Sequence, residues 1–292
     1  MEQTAADTFL ALPARFSDYR RSAYVILPIP YDGTASYRAG SREGPRAIIA
    51  ASQQVELFDE ELAGEFHRAG VATLQPLEPL AAGPEQMQQR IYRAARRVLR
   101  DGKFLIGLGG EHSISGGLVR AVRAGWRRVS VLQIDAHADL RDSYLGSSYS
   151  HAAVMRRVLE MGCGVVAVGL RSWSGAEHRL IRGGKVVALP ARECLESDDW
   201  VDRAIDALGE TVYVTIDIDA LDPAYAPGTG TPEPGGLDFY QICSLLRLVT
   251  AEKRVVSADL VEVLPIAGQH VTEFLAARLI YKLICYHQAG RQ

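Results

Sequence analysis

Seven short runs of apolar, mostly β-branched residues recur along the chain, with helical stretches between most of them. The runs are Tyr24–Ile29, Lys103–Leu108, Arg128–Ile134, Val165–Val168, Lys185–Leu189, Thr211–Ile216 and Val255–Ala258. They are brief and close to continuously apolar, as strands buried on both faces are. The helix-like segments are Glu85–Arg100, Gly117–Ala124, Ala152–Glu160, Asp198–Leu208, Asp238–Val249 and Thr272–His287. This alternation predicts a parallel sheet covered by helices on both sides. No stretch rich in Pro, Gly or Ser divides the 292 residues, so one domain spanning 1–292 is expected.

Composition removes several classes of function. Hydrophobic residues make up 48% and charged residues 23%, as in ordinary soluble proteins. The net charge of −3 gives no reason to expect a nucleic acid or an anionic membrane as partner. Arg93, Arg96, Arg97 and Arg100 have the spacing of one solvated helix face. The four cysteines are far apart and form no C-x-x-C, which argues against a thiolate metal site or a disulfide framework. No leader-like segment and no apolar run of about 20 residues is visible, so a cytoplasmic location is expected.

The chemistry-bearing residues follow the predicted strands, where parallel α/β sheets carry their sites. Asp135-Ala-His137-Ala-Asp139 comes directly after Arg128–Ile134. Alternate side chains of an extended chain point the same way, so these three groups converge. Asp217-Ile-Asp219 follows Thr211–Ile216 with the same spacing, and His112 follows Lys103–Leu108 after Gly109, Gly110 and Glu111. Four aspartates in one dry site would repel strongly, and two divalent cations would balance their charge. Carboxylate and imidazole ligands without thiolate suit Mn²⁺, and Fe²⁺, Co²⁺, Ni²⁺ or Zn²⁺ as alternatives. Two such cations side by side acidify a water into a nucleophile near neutral pH. Gly107–Gly110 has neither the dinucleotide fingerprint nor the Lys-Ser/Thr of a P-loop, so no nucleotide site is read there.

These residues carry a resemblance. GGEHS (Gly109–Ser113), DAHADL (Asp135–Leu140), the Ser150-His151 pair and DIDALDPAYAPGTGTPEPGG (Asp217–Gly236) are similar to the motifs of the ureohydrolases, the arginase and agmatinase family. SYRAGSREGPRAI (Ser36–Ile48) and GLRS (Gly169–Ser172) look like the agmatinase subgroup. DLVEVLP (Asp259–Pro265) falls where the family has an acidic motif, before a Thr-x-x-x-Ala-Ala helix (Thr272–Ala277). The resemblance implies a three-layer α/β/α sandwich around a parallel sheet. It also implies two Mn²⁺ on His112, Asp135, His137, Asp139, Asp217 and Asp219, and release of urea from a small guanidine substrate. It makes His151 the proton shuttle to the leaving amine and Glu262 the carboxylate that holds the guanidinium. It further implies a homo-trimer or homo-hexamer. Two positions depart from many relatives: Ala152 follows the shuttle histidine, and Leu264 precedes the proline of the acidic motif, where it bears on the pocket mouth.

The substrate tail is to be read from Arg141–Ser150. Arg141 suits a carboxylate and Asp142 an ammonium, while Tyr144, Tyr149 and Trp173 suit a methylene chain or a cation. The subgroup motifs place agmatine first, N1-aminopropylagmatine as a close variant and a guanidino acid such as guanidinobutyrate as runner-up. A metal-bound regulator without catalysis fits poorly with the retained His151 and Glu262. A deacetylase-like hydrolase with one zinc fits poorly with four aspartates. His67, His178 and His287 read as surface positions, and His270, near the C-terminal motif, reads as a loop bystander rather than a residue lining the mouth.

Overall fold

The structure is a computed structural model, and it describes residues 7–291. Eight strands form one sheet: β1 (Tyr24–Ile29), β2 (Val71–Thr73), β3 (Phe104–Gly109), β4 (Ser130–Ile134), β5 (Gly164–Leu170), β6 (Val187–Pro190), β7 (Thr211–Asp217) and β8 (Arg254–Val261). Their order is β2-β1-β3-β8-β7-β4-β5-β6, and every pairing is parallel. All seven runs read from the sequence are strands. β2 was not read: three residues are too few for a periodic signal.

The helices are α1 (Ala14–Ser17), α2 (Gly44–Ser52), α3 (Pro84–Arg100), α4 (Ser115–Arg123), α5 (Val154–Glu160), α6 (Gly175–Arg182), α7 (Ala191–Glu196), α8 (Trp200–Ala207), α9 (Phe239–Glu252) and α10 (Val271–Ala289). They divide between two cores, because successive strand residues face opposite sides of the sheet. Tyr24 and Ile26 of β1 join residues of α2, α8, α9 and α10 on one face. Val25, Leu27 and Ile29 of the same strand join α3, α4 and α5 on the other. The three-layer α/β/α sandwich is therefore the observed architecture.

The strand order positions the site. β3, β8, β7 and β4 are consecutive neighbours at the middle of the sheet. Their carboxyl ends lead to His112, Glu262, Asp217 and Asp135, residues far apart in sequence. Beyond β3, the chain passes close to the continuation of β1. Gly110 donates its N–H to the Ile29 carbonyl at 2.9 Å and Glu111 to the Tyr31 carbonyl at 2.8 Å. A Cβ on Gly110 would lie 2.2 Å from the Tyr31 oxygen, so only glycine permits this approach. The glycines before His112 thus serve backbone packing and not a phosphate.

Candidate metal centre and substrate pocket

The extended chain expected after both strands is only partly found. Asp139 takes a left-handed conformation with φ 51°, and Asp219 lies in a 3-10 turn, Ile218–Ala220, that follows Asp217 at the end of β7; these turns bring the acidic side chains inward. Asp135 shares itself between two groups. Its Oδ2 lies 3.0 Å from His112 Nδ1, and its Oδ1 is on the side of His137 Nδ1, at 3.9 Å. Asp139 Oδ2 and Asp217 Oδ2 complete the first group at 3.2 and 3.4 Å from His112 Nδ1. Asp219 Oδ2 completes the second at 2.9 Å from His137 Nδ1. Two donor sets, His112–Asp135–Asp139 and Asp135–His137–Asp219, each have the closeness that one metal ion needs. All six ligands read from the sequence are brought together here.

The hydrogen bonds around His112 test whether a cation fits. Thr215 donates its hydroxyl to Asp259 Oδ1 at 2.6 Å. Its oxygen therefore accepts from His112 Nε2–H at 2.9 Å, so the neutral ring has a bare Nδ1. That buried Nδ1 makes no hydrogen bond among the described residues, and three carboxylates face it. A lone pair facing carboxylates is tolerable only with a positive charge between them. The donor set fits a divalent cation at that point. The carboxylates themselves are held by backbone amides: His137 N–H donates to Asp135 Oδ1 at 2.6 Å, Ala136 N–H to Asp219 Oδ1 at 3.1 Å, and Asp219 N–H to Asp217 Oδ1 at 2.9 Å.

Proton affinities record the same crowding. Burial pushes the Asp217 carboxyl well up, and its neighbours Asp219 and Asp135 push further. Burial also raises Asp139, to about 6, although His112 opposes it. For His137, burial favours the neutral ring, but Asp219 and then Asp135 and Asp139 outweigh it and raise the group to about 11. Without metal, protons therefore occupy the imidazoles.

Above the aspartates opens a cavity of about 290 Å³. Asp139, Asp217, Asp219 and Glu262 line its floor, and His151, Tyr144, Arg141, Arg38 and Trp173 its walls. Glu262 accepts the His112 backbone N–H at 2.7 Å. Burial, then the charge of Glu111, hold its carboxyl well above the usual range. His151 has its pKa lowered to about 4, first by burial and then by the charge of His112.

Several expectations need correction. Asp142 points away from the cavity and pairs with Arg157 at 3.0 Å. Tyr149 lies outside the cavity lining, beside Arg157 and Glu160. Leu264 is buried behind Gly40 rather than at the mouth, because its N–H bonds the Gly228 carbonyl and draws it inward. His270 is outside the lining, as expected of a bystander: it is exposed and pairs with Glu273 at 2.9 Å. His67 and His287 are buried, not surface residues; His287 bonds Tyr24 and the Val255 carbonyl. His178 is exposed, as read.

Two residues of the site escaped sequence reasoning. Glu111 is buried and binds Thr34 and Ser113. Arg171 aims its guanidinium at backbone carbonyls of the 217–236 segment, including Asp219 at 2.7 Å, Glu233 at 2.7 Å and Pro234 at 3.0 Å. A charged residue inside GGEHS and inside GLRS was the available signal.

Comparison with known proteins decides the lineage. The Arginase family matches residues 22–285. The chain belongs to the arginase family. Within that family, it is 41% identical over 278 residues to the N(1)-aminopropylagmatine ureohydrolase of Synechocystis sp., covering 92% of this chain and 90% of that one. It is 40% identical over 266 residues to the enzyme of that name from Thermus thermophilus, covering 91% and 90%. The crystal structure of agmatine ureohydrolase of Thermoplasma volcanium superposes with a TM-score of 0.87 at 32% identity, covering 97% of this chain and 94% of that one. This arginase-family chain is a ureohydrolase, a hydrolytic enzyme of guanidino groups.

Proposed function

We propose that the chain holds two divalent cations, Mn²⁺ first among them, on His112, Asp135, His137, Asp139, Asp217 and Asp219, and hydrolyses a guanidine with a cationic alkylamine tail. N1-aminopropylagmatine is the favoured substrate, giving urea and the matching triamine. The relatives at 40–41% identity that carry this name support that choice. Agmatine, giving urea and putrescine, is the shorter alternative, supported by the likeness to the Thermoplasma volcanium protein. The observation that carries the metal reading is Asp135, which offers one oxygen to each histidine group.

When bound, the cations would supply Lewis acidity, which acidifies a water into a nucleophile near neutral pH. The residues of the chain do the rest. Glu262, on the cavity floor, pairs with the substrate guanidinium and fixes its plane. His151, in the wall, carries a proton to the departing amine; with its pKa lowered to about 4 it rests as the neutral ring, so it first takes up the proton that it then passes on. Tyr144 and Trp173 flank the tail, where aromatic faces attract an ammonium.

Arg38 and Arg141 in the same wall favour a second reading, a guanidino acid whose carboxylate they would meet. Urea release from Mn²⁺-loaded protein, measured on N1-aminopropylagmatine, agmatine, guanidinobutyrate and arginine, separates these readings. The highest kcat/KM is expected for N1-aminopropylagmatine. A preference for guanidinobutyrate would move the assignment to guanidino acids, and no urea from any of the four would remove it.

A further inference from the structure

Buried Glu111 and half-buried Thr34 form a pair beside the cavity that the reaction as described leaves unused. Glu111 Oε2 accepts the Thr34 backbone N–H at 2.6 Å. Its Oε1 accepts the Ser113 hydroxyl at 2.5 Å and the Thr34 hydroxyl at 2.7 Å. In its ionised form Glu111 accepts from all three donors, and a threonine hydroxyl has only one proton to give. With that proton spent on Glu111, Thr34 Oγ1 is left with acceptor capacity alone.

Two groups of His151 face that oxygen. The His151 backbone N–H donates to it at 3.1 Å, and ring Nδ1 lies 3.2 Å from it. An oxygen that can only accept requires a hydrogen on Nδ1. The neutral imidazole is then the Nδ1–H form, and its bare nitrogen is Nε2. The edge of the ring is also packed against Tyr144, with centroids 5.8 Å apart and planes at 88°. The backbone bond, the ring bond and the aromatic contact together hold the ring in one orientation.

We propose that Thr34, anchored by Glu111, is a positioning residue: it selects the Nδ1–H tautomer of His151 and so presents Nε2 for proton transfer. This rests on the shuttle role given to His151 above. The pair forms because the segments after β1 and β3 run side by side, which places Thr34 against a residue 77 positions away.

A double-mutant cycle on the full, Mn²⁺-loaded chain tests it, using the best substrate of the panel and metal content as a second readout. Thr34→Val keeps the shape and removes the hydroxyl. It is expected to lower kcat by about 10-fold or more, with KM and two metals per chain retained. Thr34→Ser is expected to restore kcat. In a His151→Ala background, Thr34→Val should cost less than about 2-fold, since the partner it acts through is gone. If Thr34→Val does not fold, Thr34→Ala deletes the same hydroxyl with less bulk and takes its place in the cycle. The proposal is overturned if the hydroxyl deletion leaves kcat unchanged while His151→Ala lowers it, or if its cost persists in the His151→Ala background. A wild-type kcat in His151→Ala alone would overturn both this proposal and the shuttle role.

Discussion

Asp135 offers one carboxylate oxygen to the His112 group and the other to the side of His137, so its loss should empty both halves of the centre. Asp135→Asn is expected to retain its circular dichroism spectrum, to bind neither ion, and to release no urea. Metal analysis after gel filtration reads this; two ions still bound would contradict the ligand set. Protons compete for the same nitrogens. His137 is raised to about 11 without metal, so at neutral pH it carries a proton that binding must expel. Metal affinity should therefore rise with pH, and titration calorimetry in buffers of different ionisation enthalpy should show proton release. Binding without release would place the ions elsewhere. Glu262→Gln removes one charge of the proposed guanidinium pair, so kcat/KM should fall by about 30-fold or more, an energy of about 2 kcal/mol. Asp139 and Glu262 both have positive φ, 51° and 65°. Such strain costs about 1–3 kcal/mol each and is held where function requires it. Five of the six proposed ligands were legible by a spacing of two after a strand and His112 by following another strand end, whereas the left-handed Asp139 and the 3-10 turn at Ile218–Ala220 that bring them together were not. Thr34, Glu111 and Arg171 were not, because their roles depend on partners tens of residues away that only the sheet order brings near.

At the scale of elements, every strand but β2 was legible, the four that build the site among them. β3, β4, β7 and β8 run five to eight residues and are almost wholly buried, so their composition is one-sided. β2 has three residues, and α6 and α7 are short and largely exposed, so no period could mark them. α10 misled in another way. Its His287 lies near the end of the chain, where exposure is the ordinary expectation, yet it is packed against β1, β3 and β8. It accepts from Tyr24 at 2.9 Å, its Nε2 meets the Val255 carbonyl at 3.2 Å, and its ring lies 4.1 Å from that of Phe104. Burial, then the charge of Arg291, lower its pKa to about 4. The unfolded chain takes up a proton near its ordinary value of 6.5 and the folded chain does not. The stability tied to His287 is thus present above about 6.5 and lost as pH falls toward about 4. Urea denaturation should show wild type losing about 1–2 kcal/mol more than His287→Asn between about pH 7 and about pH 5. Equal losses would mean that α10 is not held by a neutral histidine.

At the scale of the molecule, the alternation of strands and helices was enough to predict the sandwich, and the comparisons place it in the arginase family. No helix among the described residues is long and apolar enough to cross a membrane. Assembly has no periodic signature, and the homo-trimer or homo-hexamer rests on resemblance; light scattering at micromolar concentration should show one of these, and a monomer would oppose it. The central claim is the paired metal site at the carboxyl ends of four neighbouring strands. Anomalous diffraction from crystals grown with Mn²⁺ addresses it most directly. Two peaks about 3.5–4 Å apart, one against His112 and one against His137 with Asp135 touching both, are the predicted result. A single peak, or two peaks away from these residues, would contradict it.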